Sequence, residues 1–404
     1  MPKNITPTSN TYTAELRNNT RLKKLAVYSI SFSLTFNPLI VAAAQIVTDG
    51  RTETSLQVNG STTDVRTNSI RGNNGFNSFN KFDVYSGNTV NLHLPAQTDN
   101  LINVVHGQRS YIDGVLNSVK NGQIGGNVFF ANPFGVVVGQ TGRVNVGSIQ
   151  ISTPTQSFLE KFFDTTGSVS DLAAQQLMNG QIPISPDGLI SIKGKINAID
   201  DIALLAQEID IDGGLYNGAV YQSGLADFSD VVNISRLNVA GGAIVNNGEI
   251  EIVAIGDVRL SGEVVADGGN NVDAGKITVR AGEQITLESG ALLSAQGHGT
   301  NSSGGVIDTW SDGSAEFSQG ANINANAGNT GDGGDVEFSA KNTVKLSGGQ
   351  FSASAKSGKA GSVLIDPEDI EVVNNNIVLA GTNFELIANN SITVEENILI
   401  STRN

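Results

Sequence analysis

The 404-residue chain carries 47 Gly, 43 Asn, 9 Pro, 1 Trp and no Cys, and its 39 acids oppose 24 bases for a net charge of −15. An apolar fraction of 39% is enough for a core and argues against a disordered acidic tail; Gly without a three-residue period excludes collagen; and the lack of Cys excludes a disulfide scaffold, a thiolate metal site and a Cys nucleophile. Such an acidic chain repels phosphate backbones, which argues against nucleic acid as a partner.

Residues 21–44, RLKKLAVYSISFSLTFNPLIVAAA, read as a secretion signal. Arg21, Lys23 and Lys24 form the basic start, Leu25 to Val41 the apolar stretch, and Ala42 to Ala44 a small-x-small cleavage site. Ser, Thr, Asn and Pro38 inside the apolar stretch make it a poor membrane span. Cleavage is expected between Ala44 and Gln45, so that residues 1–44 form an extended signal peptide. Its removal takes away five bases and one acid and leaves 19 bases against 38 acids, a net charge of −19.

The mature chain alternates apolar and polar residues in short runs such as VNLHL, EIEI, KITVR and QITLE, broken by Gly, Asn, Asp and Ser. This is the pattern of many short strands joined by tight turns. Gly248, Gly275, Gly305, Gly334 and Gly361 each open a similar unit, at intervals of 27, 30, 29 and 27 residues, and Gly188 opens an earlier one. Three strands with their turns occupy such a period, whereas propeller blades and helical pairs need longer repeats. The fold expected is all-β: a right-handed parallel β-helix with three strands per coil. Ile250, Ile277, Val306 and Val336 are expected to stack inside on one sheet, and Val258, Ile285, Phe317 and Val344 on another. Residues 155–180 break the pattern, with Phe158, Leu159, Phe162 and Phe163 at helical spacing and a second helical run, 172–178, capped by Ser170 or Asp171. This helical excursion is expected to cover the sheet, with a partner-docking role as the alternative.

Before the excursion lie FNKFDVYSGNTVNLHLP (79–95) and a stretch (103–149) holding S-x-I-D-G-x-L at Ser110 to Leu116 and N-V-F-F-x-N-P-x-G-V at Asn127 to Val136. These motifs resemble the amino-terminal secretion domain of two-partner-secretion exoproteins, the filamentous haemagglutinin-like family. The family's usual Asn-Pro-Asn-Gly is here Asn132, Pro133, Phe134 and Gly135. The excursion, with the following K-x-N-A-I-D-D-I, looks like the large-adhesin, leukotoxin-like subset. The resemblance implies a secretion domain over 45–260, a β-helical repeat region over 261–404, and a chain that is the front part of a longer exoprotein. It implies entry into the periplasm through the Sec translocon. It then implies recognition by the POTRA domains of an outer-membrane β-barrel transporter, passage in the unfolded state, and folding outside the cell. Asn132, Pro133 and Gly135 are the residues assigned to recognition, with a tight turn ending a coil as their structural role. The resulting expectation is a non-enzymatic adhesin-type exoprotein, secreted or held at the cell surface, possessing no cofactor and no metal, and meeting a host-cell or biofilm surface.

Two alternatives remain open from the residues. One is the secretion portion of a large cytolysin or leukotoxin-like exoprotein. The other is a β-helical polysaccharide-active enzyme, for which Asp200, Asp201, Asp210 and Asp212 are the candidate acids, although an aromatic content of 6% disfavours an extended sugar-stacking groove. His93, His106 and His298 read as surface or turn residues rather than ligands. A triad of Ser110, His106 and Asp113 fits poorly within one strand-turn stretch. GNTGDGGDV (328–336) only partly resembles a calcium-binding nonapeptide.

Overall fold

The computed structural model describes residues 44–163, 168–217, 248–375, 377–398 and 400–403. The expected signal sequence up to residue 43, including Ala42, lies outside the described residues. From Gln45 onward the strands assemble into three long sheets, here A, B and C. Each coil visits them in the order A, C, B, as in Asn127–Ala131 (A), Val136–Val138 (C) and Arg143–Val146 (B), before Ser148–Ser152 returns to A. Nearly all neighbouring strands are parallel, so the fold is the expected parallel β-helix with three strands per coil.

Alternation explains the core. Successive side chains of a strand point to opposite faces, so one set from every strand turns inward and forms a ladder along the axis. Ile202, Ile250, Ile277, Ile307, Val336 and Val363 are register partners in sheet A, and all are buried. Here two expected positions are corrected. Val306 lies opposite Lys276 and faces out, 39% exposed, and Ile307 takes the inward place. In sheet C the partner of Ile285 and Val344 is Ala315, whereas Phe317 stacks between Leu287 and Leu346 one inward position further on. Phe317 is nonetheless central to the core: its ring lies 4.3 Å from that of Phe351 in sheet B and 5.6 Å from that of Phe338 in sheet A. The unit opened by Gly188 is also shifted in phase. Leu189–Ile192 lies in sheet C, whereas Glu249–Ala254, after Gly248, lies in sheet A.

Glycine marks one corner for a steric reason. A Cβ on Gly305 would collide with the carbonyl oxygen of Gly275, one on Gly334 with that of Gly305, and one on Gly361 with that of Gly334. The same carbonyls accept the next coil's first strand hydrogen bonds, Val306 N to Gly275 O at 3.2 Å and Asp335 N to Gly305 O at 3.0 Å. Backbones that must approach this closely leave no room for a side chain.

Antiparallel strands begin the stack. Gln45–Thr48 pairs antiparallel with Asn74–Asp83, and Thr54–Asn59 forms a hairpin with Thr62–Thr67. The helical excursion contains α1 (Gln156–Glu160), capped by Thr155, and α2 (Asp171–Met178), capped by Ser170. As expected, it covers a sheet. Phe158, Leu159, Phe162, Phe163, Ala173, Ala174 and Leu177 pack on Phe76, Ile102, Val104 and Ala131, the outward residues of sheet A. Gln150 Nε2 donates to Leu177 O at 2.6 Å, and Arg71 pairs with Asp171 at 2.6 Å. The apolar outward residues of these strands, unusual on a solvent face, are thereby removed from water.

Candidate functional site

Asn132, Pro133 and Gly135 form the corner between Asn127–Ala131 and Val136–Val138. Pro133 needs no donor at the second turn position and has its φ already fixed, and the turn closes by Gly135 N donating to Asn132 O at 3.1 Å. Gly135 has φ +100°, and a Cβ there would collide with Leu189 O of the next coil, so glycine is required on both counts. Asn132 is wholly buried and fully engaged. Its Nδ2 donates to Gln108 O at 2.8 Å and to Ser110 Oγ at 3.0 Å, while its Oδ1 accepts from Phe134 N at 2.9 Å. Its N–H donates to Ser152 O at 3.0 Å, so the turn is tied to the coils on both sides. Arg109 Nε closes the outer side by donating to Phe134 O at 2.7 Å. The three predicted residues therefore come together in one turn whose polar groups are spent internally. Phe134, at the position of the family's second Asn, leaves this network intact because only its backbone enters it.

At the expected cleavage site, Ala44 is half-buried against the core, and Gln45 begins the first strand, its Oε1 accepting from Lys81 and from Tyr85 Oη.

Most of the other polar residues singled out have structural partners, whereas the side chains of Asp200 and Asp210 close no hydrogen bond among the described residues and burial pushes their pKa values up. Of the histidines, His106 departs most from the surface role expected: its side chain is 11% exposed, Arg51 Nη1 lies 2.9 Å from its Nε2, and the ring of Phe163 lies 6.1 Å away. Burial, aided by the Arg51 charge and opposed by Asp49, pushes its pKa down to about 4. His93 pairs with Asp64 at 2.8 Å. His298 pairs with buried Asp267 at 2.8 Å, and this hydrogen bond raises its pKa. Ser110 is buried on Asn132 and His106 faces Arg51, so the triad is not assembled. Asp201 accepts from Glu249 N and Asp212 from Ser261 Oγ. In the glycine-rich stretch, Asp332 accepts from Lys359 N and Asp335 from Ser362 Oγ, which leaves both carboxylates serving the next coil. Among the described residues no three metal-ligating groups cluster.

Sequence reading missed the asparagine ladders. In sheet B, Asn91 donates to Asp64, Asn117 to Asn91, Asn145 to Asn117 and Asn197 to Asn145, each at 2.9–3.0 Å. Asn74, Asn100 and Asn127 form a shorter ladder in sheet A. Each amide uses one donor upward and one acceptor downward, so identical side chains satisfy one another along the axis. The recurrence of Asn near the coil period was the available signal.

Comparison with known proteins identifies relatives of the chain. The family model described as TPS secretion domain matches residues 44–309. The chain is 26% identical over 193 residues to a Heme/hemopexin-binding protein of Haemophilus influenzae, an alignment covering 45% of this chain and 20% of that protein. The chain therefore spans about a fifth of the length of that curated relative. Among solved structures it is similar to the HMW1 secretion domain from Haemophilus influenzae, with 14% identity and a TM-score of 0.43, covering 87% of this chain and 99% of that one.

Proposed function

The chain belongs to the TPS secretion-domain family, and we propose that it is the exported, non-enzymatic member of a two-partner pair, an adhesin-type exoprotein delivered by its own outer-membrane transporter. The family accounts for export and for a partner transporter; the POTRA-bearing β-barrel, the adhesin role and a host-cell or biofilm target are our reading. In it, residues 1–44 are the signal that the Sec translocon reads, cleaved between Ala44 and Gln45. Residues 45–260 form the secretion domain, and 261–404 begin the repeat region.

The observation that carries the mechanism is the burial of Asn132. A side chain that is wholly buried and hydrogen-bonded on all its polar atoms offers nothing to a partner once the domain has folded. Asn132, Pro133 and Gly135 are therefore read by the transporter while the segment is still unfolded, and folding withdraws them. Each coil templates the next, so withdrawal makes release directional without ATP. The experiment compares binding of the transporter's periplasmic POTRA fragment to a peptide spanning 123–143 and to the folded mature chain. Binding of the peptide, weakened by Asn132→Ala and absent with the folded chain, is expected. Equal binding of folded chain and peptide overturns the order of events, and unchanged export of the mature chain in cells lacking the transporter overturns the pairing itself.

A further inference from the structure

The outer face of sheet C holds a polar groove of about 470 Å³ that the secretion reading does not use. Its floor is a single outward row, Tyr111, Val137, Ser191, Asp210 and Arg259, register partners on five successive strands. Lys193 and Asp212 directly follow the strands Leu189–Ile192 and Glu208–Ile211 and line the same groove.

Two cations of this groove have no direct partner of their own. Among the described residues, the side chains of Lys193 and Arg259 close no hydrogen bond and no ion pair. By contrast, Lys345 further along the same sheet is bonded to Glu316 at 3.1 Å. In a chain with 39 acids and only 24 bases, both cations line the same groove. Arg109 joins them at the groove's end, anchored through Nε on Phe134 O with its terminal nitrogens still available. Between the cations lies Asp210, half-buried and without a hydrogen bond; burial pushes its pKa up, with Arg259 opposing and Asp212, Glu208 and Glu288 adding to the rise. Cations that need an anion and a carboxylate that needs a donor thus alternate along one axis, beside the exposed ring of Tyr111 and the half-buried side chain of Val137.

We propose that this groove binds an acidic oligosaccharide. Lys193 and Arg259 receive its carboxylates, Asp210 and Ser191 bond its hydroxyls, and Tyr111 supports the apolar face of one ring. Coils advance by about 4.8 Å, which places the two cations two coils apart, a step of the order of one sugar unit per coil. A compact anion such as phosphate is disfavoured because Asp210 and Asp212 stand among the cations. A peptide is disfavoured because the shallow groove has no apolar pocket for an anchoring side chain.

The test is calorimetric titration of the mature full chain with tetragalacturonate, with its fully methyl-esterified form and with inorganic phosphate. Saturable binding of the acid form is expected, weakened about tenfold by methyl esterification and by either Lys193→Gln or Arg259→Gln, since each removes a charge-assisted hydrogen bond. Tyr111→Ala should weaken it too, and Lys345→Gln should leave it unchanged. The variants lie on the surface, and an unaltered melting transition checks that they fold. The proposal fails if no saturable binding occurs, if the ester binds as well as the acid, if phosphate displaces the tetramer at equal concentration, or if the two Gln variants bind as wild type. No transporter enters this measurement, so its outcome is independent of the secretion reading.

Discussion

Asn132 Nδ2 donates to Ser110 Oγ across 3.0 Å between two wholly buried side chains that lie 22 residues apart in the sequence. The bond joins the Asn-Pro-Phe-Gly turn to the coil before it. Asn132→Ala leaves buried Ser110 Oγ without its partner and removes the bonds to Gln108 O and Phe134 N, and should cost about 1–3 kcal/mol of folding free energy. Asn132→Asp keeps the acceptor for Phe134 N but aims a carboxylate oxygen at Gln108 O, and should cost more. Urea unfolding of purified mature chain ranks the two; equal stability of Asn132→Ala and wild type contradicts the network's importance.

The glycine corner makes a separate prediction. Gly334→Ala drives a methyl group into the backbone of Gly305 and should destabilise by about 1–3 kcal/mol. Gly60 has φ +60° and open space around it, so Gly60→Ala should lose only the ~1 kcal/mol of an unfavourable backbone region. Similar unfolding midpoints for the two variants would contradict the steric explanation.

His106 gives the fold a pH dependence of definite sign. The unfolded ring titrates near 6.5 and the folded one at about 4, so the folded state prefers the neutral form. Its contribution is complete above about pH 6.5 and is lost as pH falls from there towards 4. His298, whose pKa is raised, acts oppositely: its contribution is present below about pH 6.5 and is lost as pH rises through its elevated folded value. Comparing wild type with His106→Gln cancels the other groups. The variant should lose less melting temperature between pH 7 and pH 4.5, and identical losses would remove His106 from the account.

The asparagine ladder should behave cooperatively. Asn145→Ala leaves Asn117 Oδ1 and Asn197 Nδ2 without their partners and should cost about 1–3 kcal/mol. Because Asn197 bonds to Asn145, the double variant with Asn197→Ala should cost less than the sum of the singles by about 0.5 kcal/mol or more. Strict additivity in a denaturant series would show that the two amides do not act together.

Strand alternation and the glycine spacing by themselves determined the β-helix and the three strands per coil, and the helical spacing of apolar residues determined the excursion, whose cap the structure resolves to Ser170 rather than Asp171. These are local properties: every coil repeats the same short-range chemistry, and neighbouring coils only add copies. The Asn-Pro-x-Gly turn was legible for the same reason, since Pro133 and Gly135 answer to backbone angles within four residues. What required the tertiary structure was everything set between coils. Val306 and Ile307 exchange faces because a one-residue difference in where a strand begins reverses which side chains point inward, and Phe317 gives its expected place to Ala315 because a two-residue difference keeps the face but moves the partner. The antiparallel pairing of Gln45–Thr48 with Asn74–Asp83, the enclosure of His106 by Arg51 and Phe163, the asparagine ladders and the cations over sheet C all join residues roughly one coil or more apart. Such distances carry no local signal; only the register of one coil on the next decides which of the many polar side chains meet.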